Sequence, residues 1–167
     1  MIEALEFERP QYAHIPLILA PDKTKLSKRH GAISINEYKV QGFIPEALIN
    51  YLAMLGWNPG GVNEISSPEE LSKEFTLERV HNGGAIFDIH KLLWFNHEHL
   101  KKLSDAEYEA RMKKFLDKSD LSTLGQVRLV QVIPFLRERA QTLAEAAIAL
   151  IEEFGFLGDI SYEPSLL

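Results

Sequence analysis

The segment Leu17-Ile-Leu-Ala-Pro-Asp-Lys-Thr-Lys-Leu-Ser-Lys-Arg-His-Gly31 joins a short apolar run to a loop with four cations. These cations are Lys23, Lys25, Lys28 and Arg29. From residue 23 to residue 39 there are five lysine or arginine residues and one acidic residue, Glu37. Several cations on a short loop are typical of a site that binds phosphate, so the sequence predicts such a site here. The alternative is a solvated basic loop without a ligand.

The composition limits the class of protein. With 167 residues, 46% of them hydrophobic, the chain can bury a core in one or two domains. The formal net charge of −6 gives no overall attraction to nucleic acid, so any RNA contact must come from local patches. The absence of cysteine excludes disulfides and thiolate metal sites. Because no apolar run approaches the roughly 20 residues that span a bilayer, and the first ten residues are acidic, we expect a cytoplasmic protein without a membrane partner.

Beyond the loop, the sequence consists mostly of helix signals. Four Ser/Thr-x-x-Glu capping boxes mark helix starts, at Ser34 with Glu37, Ser67 with Glu70, Ser104 with Glu107, and Thr142 with Glu145. Further starts are expected at Pro45 and Asp88, and C-terminal caps at Gly42, Gly56 and Gly155. Residues 127–140 and 142–154 predict a helical hairpin, in which Pro134 either opens a new turn or kinks the first helix. Upstream, residues 14–19 predict a short strand, and the fold class is therefore mainly α.

Several motifs resemble one enzyme family. Residues 25–29, Lys-Leu-Ser-Lys-Arg, resemble the Lys-Met-Ser-Lys-Ser-type second signature of class I aminoacyl-tRNA synthetases. The flanking segments resemble bacterial-type glutamyl-tRNA synthetases, namely Ala13-His-Ile-Pro-Leu-Ile-Leu19, Phe43-Ile-Pro-Glu-Ala-Leu-Ile-Asn-Tyr-Leu52, Leu55-Gly-Trp57 and the block at 87–96. The first signature of the class, a His-x-Gly-His-type motif, does not occur. We therefore expect a C-terminal-side fragment that lacks the N-terminal catalytic half.

The resemblance implies a function and a site. The parent enzyme would ligate glutamate to tRNA(Glu) with ATP, by way of glutamyl-adenylate. Lys28 would contact the ATP phosphates and Lys25 would assist, and both are candidate catalytic residues. Leu26, Ser27 and Arg29 would complete the ATP site, with the adenine beside the Leu26 backbone. ATP would act with Mg²⁺ as a substrate of the parent enzyme, whereas the fragment, expected to be an inactive monomer, would bind no cofactor tightly.

The resemblance also implies a division of the chain. Residues 1–33 would be the end of the catalytic domain, a short β and loop remnant that carries the ATP loop. Residues 34–102 would form a helical stem-contact domain, and residues 103–167 the first anticodon-binding helical bundle. Because residues 103–157 have a helical pattern, a glutaminyl enzyme, whose anticodon domain is built of β-barrels, is the less favoured relative.

The helix expected at 89–101 has two distinct faces. Ile89, Leu92, Leu93 and Leu100 form an apolar stripe, whereas His90, Trp94, His97 and Lys101 align on another side. The second set could stack on bases and neutralise phosphate, which predicts a contact with tRNA. The alternative is that Trp94 packs on a neighbouring helix while the histidines are solvated. A metal site at His90, His97 and His99 is disfavoured because His99 leaves this stripe and no cysteine or aspartate completes the set.

Two arginines near the end of the chain are further candidates. Arg137 or Arg139 could read an anticodon base, since a guanidinium can bond a base edge with two hydrogen bonds. Surface ion pairs are the alternative for each. For the chain as a whole, two other functions stay open: a stand-alone, non-catalytic tRNA-binding module or synthetase paralogue, and a helical protein-interaction domain.

Overall fold

The computed structural model describes residues 2, 5–9, 12–27, 29, 34–61, 63–116 and 129–154. In these ranges two short strands, β1 (Ile18–Leu19) and β2 (Ala85–Ile86), pair in parallel. The helices are α1 (Ile35–Val40), α2 (Pro45–Met54), α3 (Pro68–Glu74), α4 (Ile89–Lys102), α5 (Asp105–Met112), α6 (Leu129–Arg139) and α7 (Leu143–Phe154). Single 3-10 turns follow α3 and α5, at Leu77–Arg79 and Lys113–Phe115. The prediction of a mainly helical fold is confirmed.

The helix starts lie where the sequence places them. Ser34, Ser67 and Ser104 each accept a hydrogen bond from the backbone of the glutamate three residues on, and that glutamate accepts one in return. Thr142 and Glu145 make the same reciprocal pair at the start of α7. Pro45 is the first residue of α2, and the Asp88 carboxylate caps α4. These side chains occupy backbone donors that a helix start otherwise leaves unpaired.

The other predicted boundaries are confirmed only in part. The strand expected at 14–19 comprises only Ile18 and Leu19, and its partner β2 was not predicted. Pro134 lies inside α6 and does not open a new helix. Gly42 ends α1 with a left-handed φ of +87°, as a C-terminal cap requires. Gly56 follows α2 without such a φ; a Cβ there would lie 2.8 Å from the Pro16 ring, so close packing accounts for this glycine. Gly155 lies outside the described residues.

Two clusters of buried side chains form the core. The first joins α1, α2 and α4 through Tyr38, Phe43, Leu48, Tyr51, Ile65, Leu92 and Phe95. The second joins α5, α6 and α7, and it also includes Ile44, Ala47 and Leu100 from the preceding part of the chain. Because α2 and α4 each contribute to both clusters, these two helices connect them. Ile89, expected on the apolar stripe of α4, is 39% exposed at its first turn.

Backbone and side-chain hydrogen bonds fix the junction between these clusters. The buried Asn96 accepts a hydrogen bond from the Ile44 N–H at 2.9 Å and donates one to the Gln141 carbonyl at 2.6 Å. The Gly42 carbonyl accepts a hydrogen bond from the Leu143 N–H at 3.1 Å. A Cβ at Gly42 would lie 2.4 Å from the Ala144 nitrogen, so only glycine allows this approach.

None of the helices in the described ranges is long and apolar enough to cross a membrane.

Candidate nucleotide and RNA sites

A tight turn follows β1 and begins the cationic segment. The Ala20 carbonyl accepts a hydrogen bond from the Lys23 N–H, and the Ala20 N–H donates to the Thr24 carbonyl, both at 2.8 Å. Lys23 has a left-handed φ of +65°. The returning chain is held against β1 by the Leu26 N–H, which donates to the Ile18 carbonyl at 3.0 Å. Residues 18–27 therefore form a hairpin, which we call the cationic hairpin.

The Asp22 side chain closes this turn. One carboxylate oxygen accepts a hydrogen bond from the Thr24 N–H at 3.0 Å and another from the Thr24 hydroxyl at 2.7 Å. Such bonds between an aspartate and the backbone two residues on are a common means of stabilising turns. Asp22 and Thr24 were not among the site residues expected from sequence, although the Pro-Asp pair is a recognisable turn signal.

The structure describes four of the five residues expected to bind ATP. Lys25 and Arg29 are exposed, whereas Leu26 and Ser27 are half-buried. Lys28, the residue expected to contact the phosphates, lies outside the described residues. Lys25 and Leu26 line an open groove of about 710 Å³, together with His14, Ile15, Pro16, Leu17, Ile18 and Asn82. The groove thus combines a cation with an apolar wall.

His14 and Asn82 also line this groove, although the sequence did not indicate either as a site residue. His14 lies in the segment just before β1, within one of the motifs that carry the family resemblance. Asn82 is far away in sequence, and the parallel pairing of β1 with β2 brings its neighbourhood to the groove. No local pattern around Asn82 could have indicated this proximity, because it depends on strand pairing.

The second candidate site is the α4 face, defined as His90, Trp94, His97 and Lys101. Trp94 is 40% exposed, and its ring makes an edge contact with Phe95 at a centroid distance of 5.1 Å. His90 is exposed, whereas His97 is half-buried with its Nδ1 3.0 Å from the Ala140 carbonyl oxygen. The Lys101 ammonium pairs with Glu98 at 2.6 Å, and this hydrogen bond raises the pKa of Lys101. The face therefore presents an aromatic ring and a cation to solvent.

His99 is buried on the other side of α4. Its Nε2 lies 2.9 Å from the Asn50 Oδ1, which also accepts the Ser66 N–H. Since this oxygen can only accept, Nε2 carries the proton. Burial lowers the pKa of His99, the nearby Lys102 lowers it further, and Glu46 opposes this. His99 is thus part of a structural hydrogen-bond network, and in the described ranges no three metal-binding side chains come together.

The two candidate arginines have different surroundings. The Arg137 side chain is only 18% exposed, pairs with Asp105 at 2.5 Å and lies over the Tyr108 ring at 5.4 Å. The Arg139 side chain is 70% exposed, and its guanidinium pairs with Glu153 at 2.6 Å. Arg137 of α6 is held against α5, whereas Arg139 is largely exposed and paired only at the surface.

Comparisons with known proteins agree with the motifs of the cationic hairpin. Residues 1–94 match the family model described as the catalytic domain of class I tRNA synthetases (E and Q), a match that extends through α1–α3 into α4. A glutamate–tRNA ligase of Dehalococcoides mccartyi is 42% identical over 171 aligned positions, which include the whole chain and 35% of that relative. A glutamate–tRNA ligase of Moorella thermoacetica is 44% identical over 154 positions, covering 88% of the chain and 31% of the relative.

Solved structures give the same result for the fold. A glutamate tRNA ligase from Elizabethkingia meningosepticum, crystallised with its amino acid, superposes with a TM-score of 0.71 at 32% identity, covering 87% of this chain and 32% of that one. The glutamate–tRNA synthetase from Elizabethkingia anophelis gives a TM-score of 0.68 at 31% identity, covering 92% of this chain and 34% of that one. The chain spans about a third of the length of the relatives it matches. Since the family model matches more than half of its residues, the chain belongs to the class I tRNA synthetase family of the glutamate and glutamine type.

Proposed function

We propose that this chain is part of a glutamate–tRNA ligase and that its cationic hairpin contributes to the ATP site. The observation that carries the proposal is the groove beside β1, where Lys25 stands next to the apolar wall formed by Leu17, Ile18 and Leu26. A flat base suits the apolar wall, and an ammonium group suits a phosphate. The similarity of the whole chain to glutamate–tRNA ligases supports glutamate and tRNA(Glu) as the other substrates of the complete ligase.

Lys25 and Lys28 would act on the charge that develops during activation of the amino acid. When the carboxylate attacks ATP, negative charge accumulates on the departing pyrophosphate, and cations that meet it there lower the barrier. Lysine is suited to this because its ammonium is a compact charge on a flexible stem. Mg²⁺ would accompany ATP as part of the substrate. We do not expect the isolated chain to complete the reaction.

The α4 face and Arg139 would contact tRNA. Trp94 offers a ring on which a base or ribose can stack, and Lys101 can neutralise a phosphate. Because Arg137 is held by Asp105 and Tyr108, we assign it a structural role and propose Arg139 as the arginine available to the anticodon. In this proposal residues 1–33 belong to the catalytic domain, 34–102 contact the stem and 103–167 begin the anticodon-binding bundle.

The first experiment measures ATP binding to the chain by isothermal titration, with Lys25→Ala and a matched control, Lys73→Ala, on the exposed side of α3. Lys25→Ala should weaken binding, whereas the control should not. Equal weakening by both substitutions would show that only the overall charge matters. Glutamate-dependent ATP–pyrophosphate exchange by the isolated chain would contradict its expected inactivity.

The second experiment measures retention of tRNA(Glu) on filters at two salt concentrations. Trp94→Ala should weaken binding with little change in salt dependence, whereas Lys101→Ala should reduce the salt dependence by about one counterion. Lys73→Ala again serves as the control. If both substitutions on the α4 face behave like the control, the face does not contact tRNA.

A stand-alone, non-catalytic tRNA-binding module is the second candidate function. The exposed Trp94 favours it, because no residue of the α4 face is among those that line the groove beside the cationic hairpin. Such a module would bind tRNA without any response to ATP, and Lys25→Ala would then leave both measurements unchanged. The cytoplasmic location and the monomeric state remain predictions.

A further inference from the structure

We propose that Asp22 is a positioning residue, which holds the cationic hairpin in the register that places Lys25 and Leu26 in the groove. This inference rests on the proposed function for its meaning, because positioning matters only if the groove binds a nucleotide. The geometry on which it depends is independent of any ligand. It consists of the two hydrogen bonds from Thr24 to the Asp22 carboxylate.

The turn needs an added constraint because its backbone is unfavourable for the residues present. Three-residue hairpin loops commonly end in a left-handed residue, and glycine is preferred there. In this chain the left-handed position is occupied by Lys23, with φ +65°. A lysine at this position disfavours the closed turn. The bonds from the Thr24 N–H and hydroxyl to Asp22 offset this cost, because they hold the backbone in the closed turn.

The closed turn determines which residue of the returning chain lies opposite β1. Lys25 is bridged to Leu19, and the Leu26 N–H donates to the Ile18 carbonyl. Successive side chains of an extended segment point to opposite sides, so a shift of one residue turns each side chain to the other side. Such a shift would move the Lys25 ammonium and the Leu26 side chain out of the positions in which both line the groove. Asp22 thus acts on the groove through Thr24, without itself being placed among its lining residues.

The proposal distinguishes acceptor geometry from charge. Asparagine keeps a side-chain oxygen at the same position and supports the same kind of turn, but it carries no charge. If Asp22 positions the hairpin, Asp22→Asn preserves most of its effect. If Asp22 instead acts as a negative charge among the lysines, Asp22→Asn is as harmful as Asp22→Ala.

The test measures amide hydrogen exchange by NMR on the whole chain, at the Ala20, Lys23 and Leu26 amides, which close the hairpin. For Asp22→Ala we expect exchange at these amides to be about ten times faster, because the turn loses both hydrogen bonds from Thr24, while the Leu92 amide in α4 is unchanged. Asp22→Asn should remain within about threefold of the original rate. Thr24→Val, which removes only the hydroxyl donor, should give an intermediate rate.

Asn58→Ala is the matched control, because the Asn58 side chain closes a similar turn on the Gly60 N–H at 2.7 Å. It should leave the hairpin amides unchanged. Unchanged exchange in Asp22→Ala, or equal acceleration in Asp22→Ala and Asp22→Asn, would overturn the proposal. Adding ATP to each variant distinguishes the positioning role of Asp22 from the proposed nucleotide site. If amide exchange depends on Asp22 but ATP changes no chemical shifts, the result supports the positioning role and contradicts the nucleotide site.

Discussion

Asn96 accepts a hydrogen bond from the Ile44 N–H at 2.9 Å across a sequence separation of 52 residues, and both residues are buried. The same side chain donates to the Gln141 carbonyl, so one amide joins α4, the start of α2 and the loop before α7. Because this buried amide both accepts and donates a hydrogen bond, an apolar side chain in its place would leave two backbone groups without partners. This bond therefore gives the first test of the fold.

Asn96→Leu should lower the free energy of unfolding by about 2–4 kcal/mol, because it leaves a buried N–H and a partly buried carbonyl without partners. Urea denaturation followed by circular dichroism measures the change. The control is Asn36→Leu on the exposed side of α1, where a loss under about 0.5 kcal/mol is expected. Similar losses at the two positions would contradict the role of Asn96.

Gly42→Ala should destabilise the protein more than Gly60→Ala. Both glycines have left-handed φ values, +87° and +81°. The backbone cost, about 1–2 kcal/mol, is common to both. At Gly42 the new Cβ also collides with backbone, 2.4 Å from the Ala144 nitrogen, whereas at Gly60 no atom of the described residues, apart from the chain neighbours, lies within 4 Å. The difference between the losses of unfolding free energy in the two variants measures the cost of this collision. Equal losses would show that the collision costs nothing.

The stability of the protein should fall as the pH is lowered through the range set by His99. Its pKa is below the usual 6.5 in the folded state, so the unfolded chain binds a proton first on acidification. The contribution of neutral His99 is complete above pH 6.5 and is lost as the pH falls below that value. His99→Gln, whose amide can still donate to Asn50, should reduce this loss. We would compare both proteins by urea denaturation at about pH 7.5 and about pH 5.5.

Between these two pH values, the carboxylate near His99 does not contribute to the change in stability. The hydrogen bond from Arg111 holds the pKa of Glu46 below its ordinary value of 4.5, so Glu46 stays charged. Lys102 is the other charged neighbour that acts on the His99 pKa. An equal decline with pH in the original protein and in His99→Gln would show that other groups are responsible.

Substitution of Arg137 should mainly lower stability, whereas substitution of Arg139 should mainly weaken tRNA binding. Arg137→Ala loses an ion pair, the contact with the Tyr108 ring and packed methylenes, and should lower the free energy of unfolding by about 1–2 kcal/mol. Arg139→Ala breaks only an exposed pair and should cost less than about 0.5 kcal/mol. Thermal unfolding and tRNA filter binding on both variants test this. Loss of tRNA binding in Arg137→Ala alone would reverse our assignment.

The sequence predicted the local features of the fold better than the long-range ones. Helix starts were predictable because a serine or threonine and the glutamate three residues on satisfy backbone donors within a single turn. The partner of β1 was not, since a strand of two residues, Ala85–Ile86, carries too little pattern to detect. The buried positions of Asn96 and His99 were not predicted, because polar residues on a helix are expected to face solvent unless their distant hydrogen-bond partners are known.

In the candidate site, too, the local features could be predicted from sequence and the long-range ones could not. The cations of residues 23–29 were evident from composition and motif alone. Asn82 joins Lys25 in one groove only through strand pairing, and Arg137 differs from Arg139 only through Asp105 and Tyr108, on another helix. Neither relationship has a signal within a few residues of sequence.

The contribution of Ile44, Ala47 and Leu100 to the second hydrophobic cluster determines how this chain can be shortened. A recombinant piece that ends near residue 102 would present these three side chains to water as a joined apolar patch. Exposed apolar side chains promote self-association, so that piece is expected to be less soluble. A piece that starts near residue 103 would lack the same side chains and lose part of its core. Expression trials that keep residues 34–154 together should give the better-behaved protein.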